Sequence, residues 1–104
     1  MKIYGIKACD TCRKAMKATG AELVDIRENP LSPEDLQRFW AAFGEDLVNR
    51  RSTTWRGLSE SEREGAALEL LAAHPTLMKR PVVERDGKLW LGWGKDVQAD
   101  LGFA

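Results

Sequence analysis

The sequence predicts an α/β fold, a mixed four-stranded sheet flanked by helices, in the order βαβ, helical insertion, ββα. Three observations carry this. A strand-helix-strand pattern fills residues 2–26. Two β-prone runs, Val82–Arg85 and Lys88–Leu91, are separated by Asp86-Gly87, a strong hairpin signal. Between them lies a stretch at about 32–78 with helix signals and no strand pattern. A chain of 104 residues suits one domain with a single core, so the expectation is one domain over 1–104 carrying a helical insertion at about 32–78.

Lys2 to Ile6 is a short β-prone run. Thr11 to Thr19 contains no breaker and runs into Gly20, suited to the residue after a helix end. Glu22 to Ile26 reads as the next strand, and a βαβ unit implies parallel strands with a right-handed crossover. Asn29-Pro30 breaks the chain. Ser32 then suits an N-cap, Pro33 the first helical position, and Glu34 and Asp35 the positive end of the dipole. Leu36, Phe39, Trp40 and Phe43 fall on one apolar face, and Gly44 closes that helix. Ser59 with Glu62 forms a capping-box pattern, from which helix is expected to continue through Ala66–Ala73 up to His74-Pro75. After the hairpin, Lys95 to Leu101 reads as a short closing helix.

Sixteen basic and sixteen acidic residues give zero formal net charge, so no basic field would draw nucleic acid or an anionic membrane. No apolar run approaches the length of a spanning helix, and the first residues lack the apolar core of a signal peptide. A cytoplasmic, reducing location and a monomeric state are expected. In that setting two cysteines three positions apart, Cys9 and Cys12, form a poor staple, because so short a loop removes little chain entropy.

The pair sits where a strand turns into a helix, the place of a thioredoxin-like redox motif. A thiol attacks only as thiolate, and a helix N-terminus favours that anion at Cys9. Lys7 and Arg13 add positive charge nearby. Cys12, about one turn on, is placed to resolve a mixed disulfide on Cys9. The plainer alternatives are an inert packed pair and a zinc half-site; zinc needs two more ligands, and His74 is the only nitrogen donor, so no metal is expected. Trp55 and Trp93 read as packing residues, and Ser52, Thr53 and Thr54 as turn residues or anion donors.

Tyr4-Gly5-Ile6 with Cys9-Asp10-Thr11-Cys12-Arg13-Lys14-Ala15, then Asn49-Arg50-Arg51-Ser52-Thr53-Thr54-Trp55, then Lys79-Arg80-Pro81-Val82, resemble the arsenate reductase (ArsC) family in order and over essentially the whole chain. The likeness is strongest to the small YffB-like proteins, with the Spx transcription regulators as near relatives. It implies a thioredoxin-like fold with a helical insertion. It further implies a cysteine at Cys9 that attacks arsenate, resolution by glutathione and glutaredoxin, and an oxyanion held by Arg80 and by Arg51 with Arg50 beside it. Guanidinium forks and a helix N-terminus both suit a tetrahedral oxyanion. Pro81 resembles the cis-proline that faces the reactive cysteine in such folds.

The chain departs from the arsenate reductase pattern at two places. Lys7-Ala8 stand where His-Asn precede the cysteine, and Gly94-Lys95 stand where a further arginine follows the last strand. Lys95 supplies a point charge there without the bidentate fork. Two readings follow. One is a thiol oxidoreductase with glutathione as cosubstrate and no bound cofactor, acting on arsenate or a glutathione mixed disulfide. The other is an Spx-like regulator switched by a Cys9–Cys12 disulfide, with the RNA polymerase alpha subunit as partner.

Overall fold

The computed structural model describes residues 1–103. Its chain divides into two compact units, residues 1–29 with residues 80 onward, and residues 30–79. The segment expected as an insertion lies inside the second.

The first unit is the sheet. Its strands are β1 (Lys2–Gly5), β2 (Glu22–Asp25), β3 (Val82–Arg85) and β4 (Lys88–Leu91), in the order β2-β1-β3-β4. β1 runs parallel to β2 and antiparallel to β3, which is antiparallel to β4, so the sheet is mixed. Side chains alternate across a strand, so Ile3, Leu23, Val83 and Trp90, paired in register, share one face. Two helices cover it: Ala15 and Met16 from α1 (Asp10–Thr19), and Val97 and Leu101 from α6 (Lys95–Leu101). The β3–β4 turn has Asp86 and Gly87 at φ 52° and 78°, the left-handed pair that a two-residue hairpin of matching twist requires.

Gly5 has a separate reason to be glycine. A Cβ built there would stand 2.3 Å from the Sγ of Cys12, which is fully buried against β1. The helix can approach the strand this closely only because one partner has no side chain.

The second unit is helical. α2 (Pro33–Phe43) starts as the sequence predicts: the Ser32 hydroxyl accepts from the Asp35 N–H at 3.1 Å, and Leu36 and Phe39 are buried. A 3₁₀ turn over Gly44–Leu47 follows, then α3 (Thr53–Arg56), α4 (Glu60–Arg63), α5 (Ala67–Ala73) and a 3₁₀ turn over Pro75–Leu77. Two backbone bonds tie the ends of this stretch together, Asn49 N–H to the Leu77 carbonyl at 2.9 Å and Lys79 N–H to the Leu47 carbonyl at 2.7 Å.

Two details differ from expectation. The single helix expected from the Ser59 cap to Ala73 is broken into α4 and α5. The capping box forms, but Gly65 follows one turn later and Ala66 enters α5 from an extended conformation, φ −61° and ψ 135°. A glycine at the end of one turn gives up the helix at little cost. Residues Ser52–Thr54, read as turn or anion donors, instead begin α3. The Ser52 hydroxyl caps it by accepting from the Trp55 N–H at 3.1 Å, and the Thr54 hydroxyl pairs with that of Thr76 at 2.7 Å.

Replacing Gly5 by Ala should destabilise the protein by about 1–3 kcal/mol, as overpacking does. A urea titration reads this, and adding Cys12→Ala to the same chain should recover part of the loss.

Candidate functional site

The strand-to-helix loop, residues 6–9, is held by backbone bonds before any functional group is considered. Ile26 N–H reaches the Gly5 carbonyl at 2.9 Å, Cys9 N–H returns to the Ile6 carbonyl at 3.1 Å, and Arg13 N–H bonds the Cys9 carbonyl at 3.0 Å to begin α1. Cys9 is the N-cap of that helix, with extended φ −83° and ψ 120°. The side chain at this position stands where the amide groups of the first turn converge. Cys9 is half-buried, Cys12 is buried, and the two are not joined by a disulfide.

Arg80 enters the same unit from the other end of the chain. It is half-buried and lies two residues before the start of β3, the neighbour of β1, and the Arg80–Pro81 peptide bond is cis.

Electrostatics separates the two thiols. Burial raises the pKa of Cys9, but the Cys12 backbone N–H, the Cys12 thiol and the Arg80 guanidinium outweigh it, and the net value is below that of an ordinary cysteine. Cys12 moves the other way. Burial, the largest effect, together with the neighbouring Cys9, pushes it up to about 11, although the Ile6 backbone favours its anion. Of the two thiols, Cys9 is therefore the one whose thiolate is favoured, while Cys12 keeps its proton at neutral pH.

The positive charge expected from Lys7 and Arg13 goes elsewhere. Lys7 Nζ pairs with Glu28 at 3.1 Å, and Arg13 pairs with Asp10 at 3.2 Å while also donating to the Ala8 carbonyl. Each lies within reach of a surface carboxylate, and Arg80 is the cation acting on the thiol. Lys95 is the exposed first residue of α6.

Arg50 and Arg51 belong to the helical unit, where both line a recess with Val48, Asn49 and Lys79. Arg50 is engaged there with the Glu45 carboxylate, and its guanidinium carbon lies 5.4 Å from the centre of the Trp55 ring. Arg63 stacks on the same ring at 5.4 Å. Trp55, expected as packing, is thus also a cation–π platform. Arg51 is exposed, and its backbone N–H donates to the Asn49 side chain at 3.1 Å. Among the described residues no group of three or more His, Cys, Asp or Glu side chains could hold a metal, and no helix is long and apolar enough to cross a membrane.

One residue that holds the Cys9 loop escaped the sequence. Asp25, at the end of β2, is buried, and its carboxylate accepts the Lys7 N–H at 3.0 Å. The sequence reads it as part of the strand Glu22 to Ile26, and nothing nearby announces a partner 18 residues away.

Comparison with known proteins settles the family. The ArsC family pattern matches residues 4–100. The chain belongs to the ArsC family. A Haemophilus influenzae protein of uncharacterised function is 43% identical, over 93% of this chain and 95% of its own length. Among solved structures, the YFFB protein superposes with a TM-score of 0.85 at 33% identity, covering 99% of this chain and 98% of the other. An ArsC-related protein from Brucella melitensis gives 0.71 at 40% identity, covering 98% and 92%. More distantly, the global transcriptional regulator Spx of Streptococcus pyogenes is 27% identical over 86% of this chain and 75% of its own. The thioredoxin-like architecture of the ArsC family accords with the sheet order and the strand-turn-helix site.

The Cys9 thiol should alkylate with a pH midpoint below the ordinary cysteine value of about 8.5. Replacing Arg80 by Gln should raise that midpoint by roughly one pH unit, the size of effect an adjacent opposite charge exerts. Alkylation rate against pH, with the modified cysteine located by mass spectrometry, measures both.

Proposed function

We propose that this ArsC-family protein is a glutathione-coupled thiol oxidoreductase in which Cys9 is the nucleophile. Its substrate is arsenate or a glutathione mixed disulfide, and its reductant is glutathione, directly or through glutaredoxin. The observation that carries the reading is the half-buried Cys9 at the N-cap of α1, its thiolate favoured by Arg80 and by the Cys12 amide and thiol. A cysteine kept for packing has no use for a lowered pKa.

With a mixed disulfide, the Cys9 thiolate attacks the glutathionyl sulfur, the substrate thiolate leaves, and Cys9 carries the glutathione. A second glutathione thiolate then attacks that bond, giving oxidised glutathione and restoring Cys9. With arsenate, the thiolate displaces a hydroxyl from arsenic as water. Attack of glutathione on the sulfur of that adduct delivers two electrons to arsenic, releases arsenite and leaves the same Cys9–glutathione disulfide. In both cases the oxyanion or carboxylate is drawn to Arg80, with Lys95 as a further candidate cation and Pro81 as the groove residue. Such chemistry requires a glutathione-containing compartment, the cytoplasm.

Kinship with Spx, together with the Cys9/Cys12 spacing, favours a second reading, a regulator switched by oxidation of the pair and bound to RNA polymerase. The burial of Cys12 and its retained proton weigh towards the enzyme, since they favour Cys9 acting alone.

Turnover with arsenate and with a glutathionylated substrate, each coupled to glutathione oxidation, separates the readings. Cys9→Ser should abolish turnover, whereas Cys12→Ser should retain part of it. Turnover of neither substrate, together with oxidation-dependent capture of RNA polymerase, would sink the enzyme in favour of the regulator.

A further inference from the structure

We propose that Asp25 is a positioning residue for Cys9, its buried carboxylate tying the loop that presents the thiol to the end of β2. The inference rests on Cys9 being the reacting thiol and adds the group that holds it in place.

Asp25 is only 7% exposed, and its two oxygens are used differently. Oδ1 accepts from the Arg27 N–H at 2.9 Å and the Glu28 N–H at 3.3 Å, closing the turn that follows β2. Many strand-ending aspartates do this and nothing more. Oδ2 instead accepts the Lys7 N–H at 3.0 Å. The pairing of β1 with β2 ends at Gly5, whose carbonyl takes the Ile26 N–H, so the Lys7 amide has no strand partner to meet. The carboxylate extends the ladder by one rung in the place of a backbone carbonyl. Two residues further on is Cys9, and its own N–H returns to Ile6. The segment between strand and nucleophile is thus fixed at Lys7 by Asp25 and at Cys9 by Ile6.

The exposed Lys7–Glu28 pair spans the same two segments but cannot do this work. Its side chains are 69% and 60% exposed, and such pairs contribute little. Three donors on two oxygens also call for an anion. In keeping with this, the Asp25 pKa is lowered, chiefly by the Lys7 N–H, against the opposing effect of burial and with help from the Arg27 and Glu28 amides.

The geometry names the informative substitution. In Asp25→Asn one oxygen remains. If it keeps the Arg27 and Glu28 amides, the new NH₂ group faces the Lys7 N–H, donor against donor, and the loop is released while the turn survives. Asp25→Ser is the second variant: its hydroxyl can serve the same turn but is too short to reach Lys7. The readout is the pH profile of Cys9 alkylation, with Leu101→Ala as a control that loosens the α6 side of the sheet core away from this loop.

The expected result is an upward shift of the Cys9 midpoint in Asp25→Asn, slowing alkylation at pH 7 by about threefold or more, with the profile of Leu101→Ala unchanged. A folded Asp25→Asn with the wild-type midpoint overturns the proposal, and so does an equal shift in Leu101→Ala. Should Asp25→Asn not fold, Asp25→Ser is judged by the same criteria. Hydrogen exchange in the wild-type protein gives a check independent of any variant: a Lys7 amide exchanging at the rate of an unstructured peptide overturns the tie. A wild-type Cys9 that titrates like an ordinary cysteine overturns both this inference and the enzyme reading. A low wild-type midpoint that Asp25→Asn leaves in place overturns this one alone.

Discussion

Cys12 lies against Gly5 with no room for another atom between them, and much of the sheet unit follows from that contact. It sets how near α1 comes to β1, and therefore where the first turn of the helix opens. The residue at that opening is Cys9. The same approach buries Cys12 completely and deprives its thiolate of water, so one packing decision both places Cys9 at the helix start and keeps the proton on its neighbour. Ala15, one turn further along, continues the close packing into the core with Ile3 and Val83.

Reactivity at Cys9 is then a local balance rather than a property of the whole surface. The chain has no net charge, and its nearby surface cations are spent on carboxylates, Lys7 on Glu28 and Arg13 on Asp10. What remains to favour the anion is directional: the amide of Cys12, its thiol, and one guanidinium from the start of β3. Groups fixed in this way act in a partly desolvated setting, where they count for more than mobile surface charges.

The parts that could be read from sequence were those whose cause is local. The Ser32-Pro33 start of α2, the Asp86-Gly87 turn and the Gly20 helix end all depend on backbone preferences of the residues concerned, and all are found. The location of Cys9 at a strand-to-helix turn belongs to the same class. What was not legible depends on approach through space. Nothing in the β-prone run Lys2 to Ile6 shows that Gly5 must leave room for Cys12. Asp25 reads only as part of the strand Glu22 to Ile26, and its bond to the Lys7 amide depends on the two strands lying side by side. Arg50 kept its charge in the sequence but not its liberty, since only the fold sets Glu45 and Trp55 against it. The break between α4 and α5 is local as well: Gly65 lies between the Ser59 capping box and Ala66, where one helix ends and the next begins.

The sheet is assembled from both ends of the chain, and this bears on how the protein comes into being. β1 is an inner strand, with β2 on one side, available almost as soon as it is made, and β3 on the other, which follows the whole helical unit. Synthesis runs from the N-terminus, so a growing chain has its βαβ portion, with both cysteines, well before β3 arrives. During that interval one edge of β1 is open to wrong pairing. Arg80 emerges just ahead of β3, so the cation that favours the thiolate comes with the strand that closes the sheet. The nascent cysteine thus lacks this guanidinium, and its thiolate gains that support only together with the completed sheet.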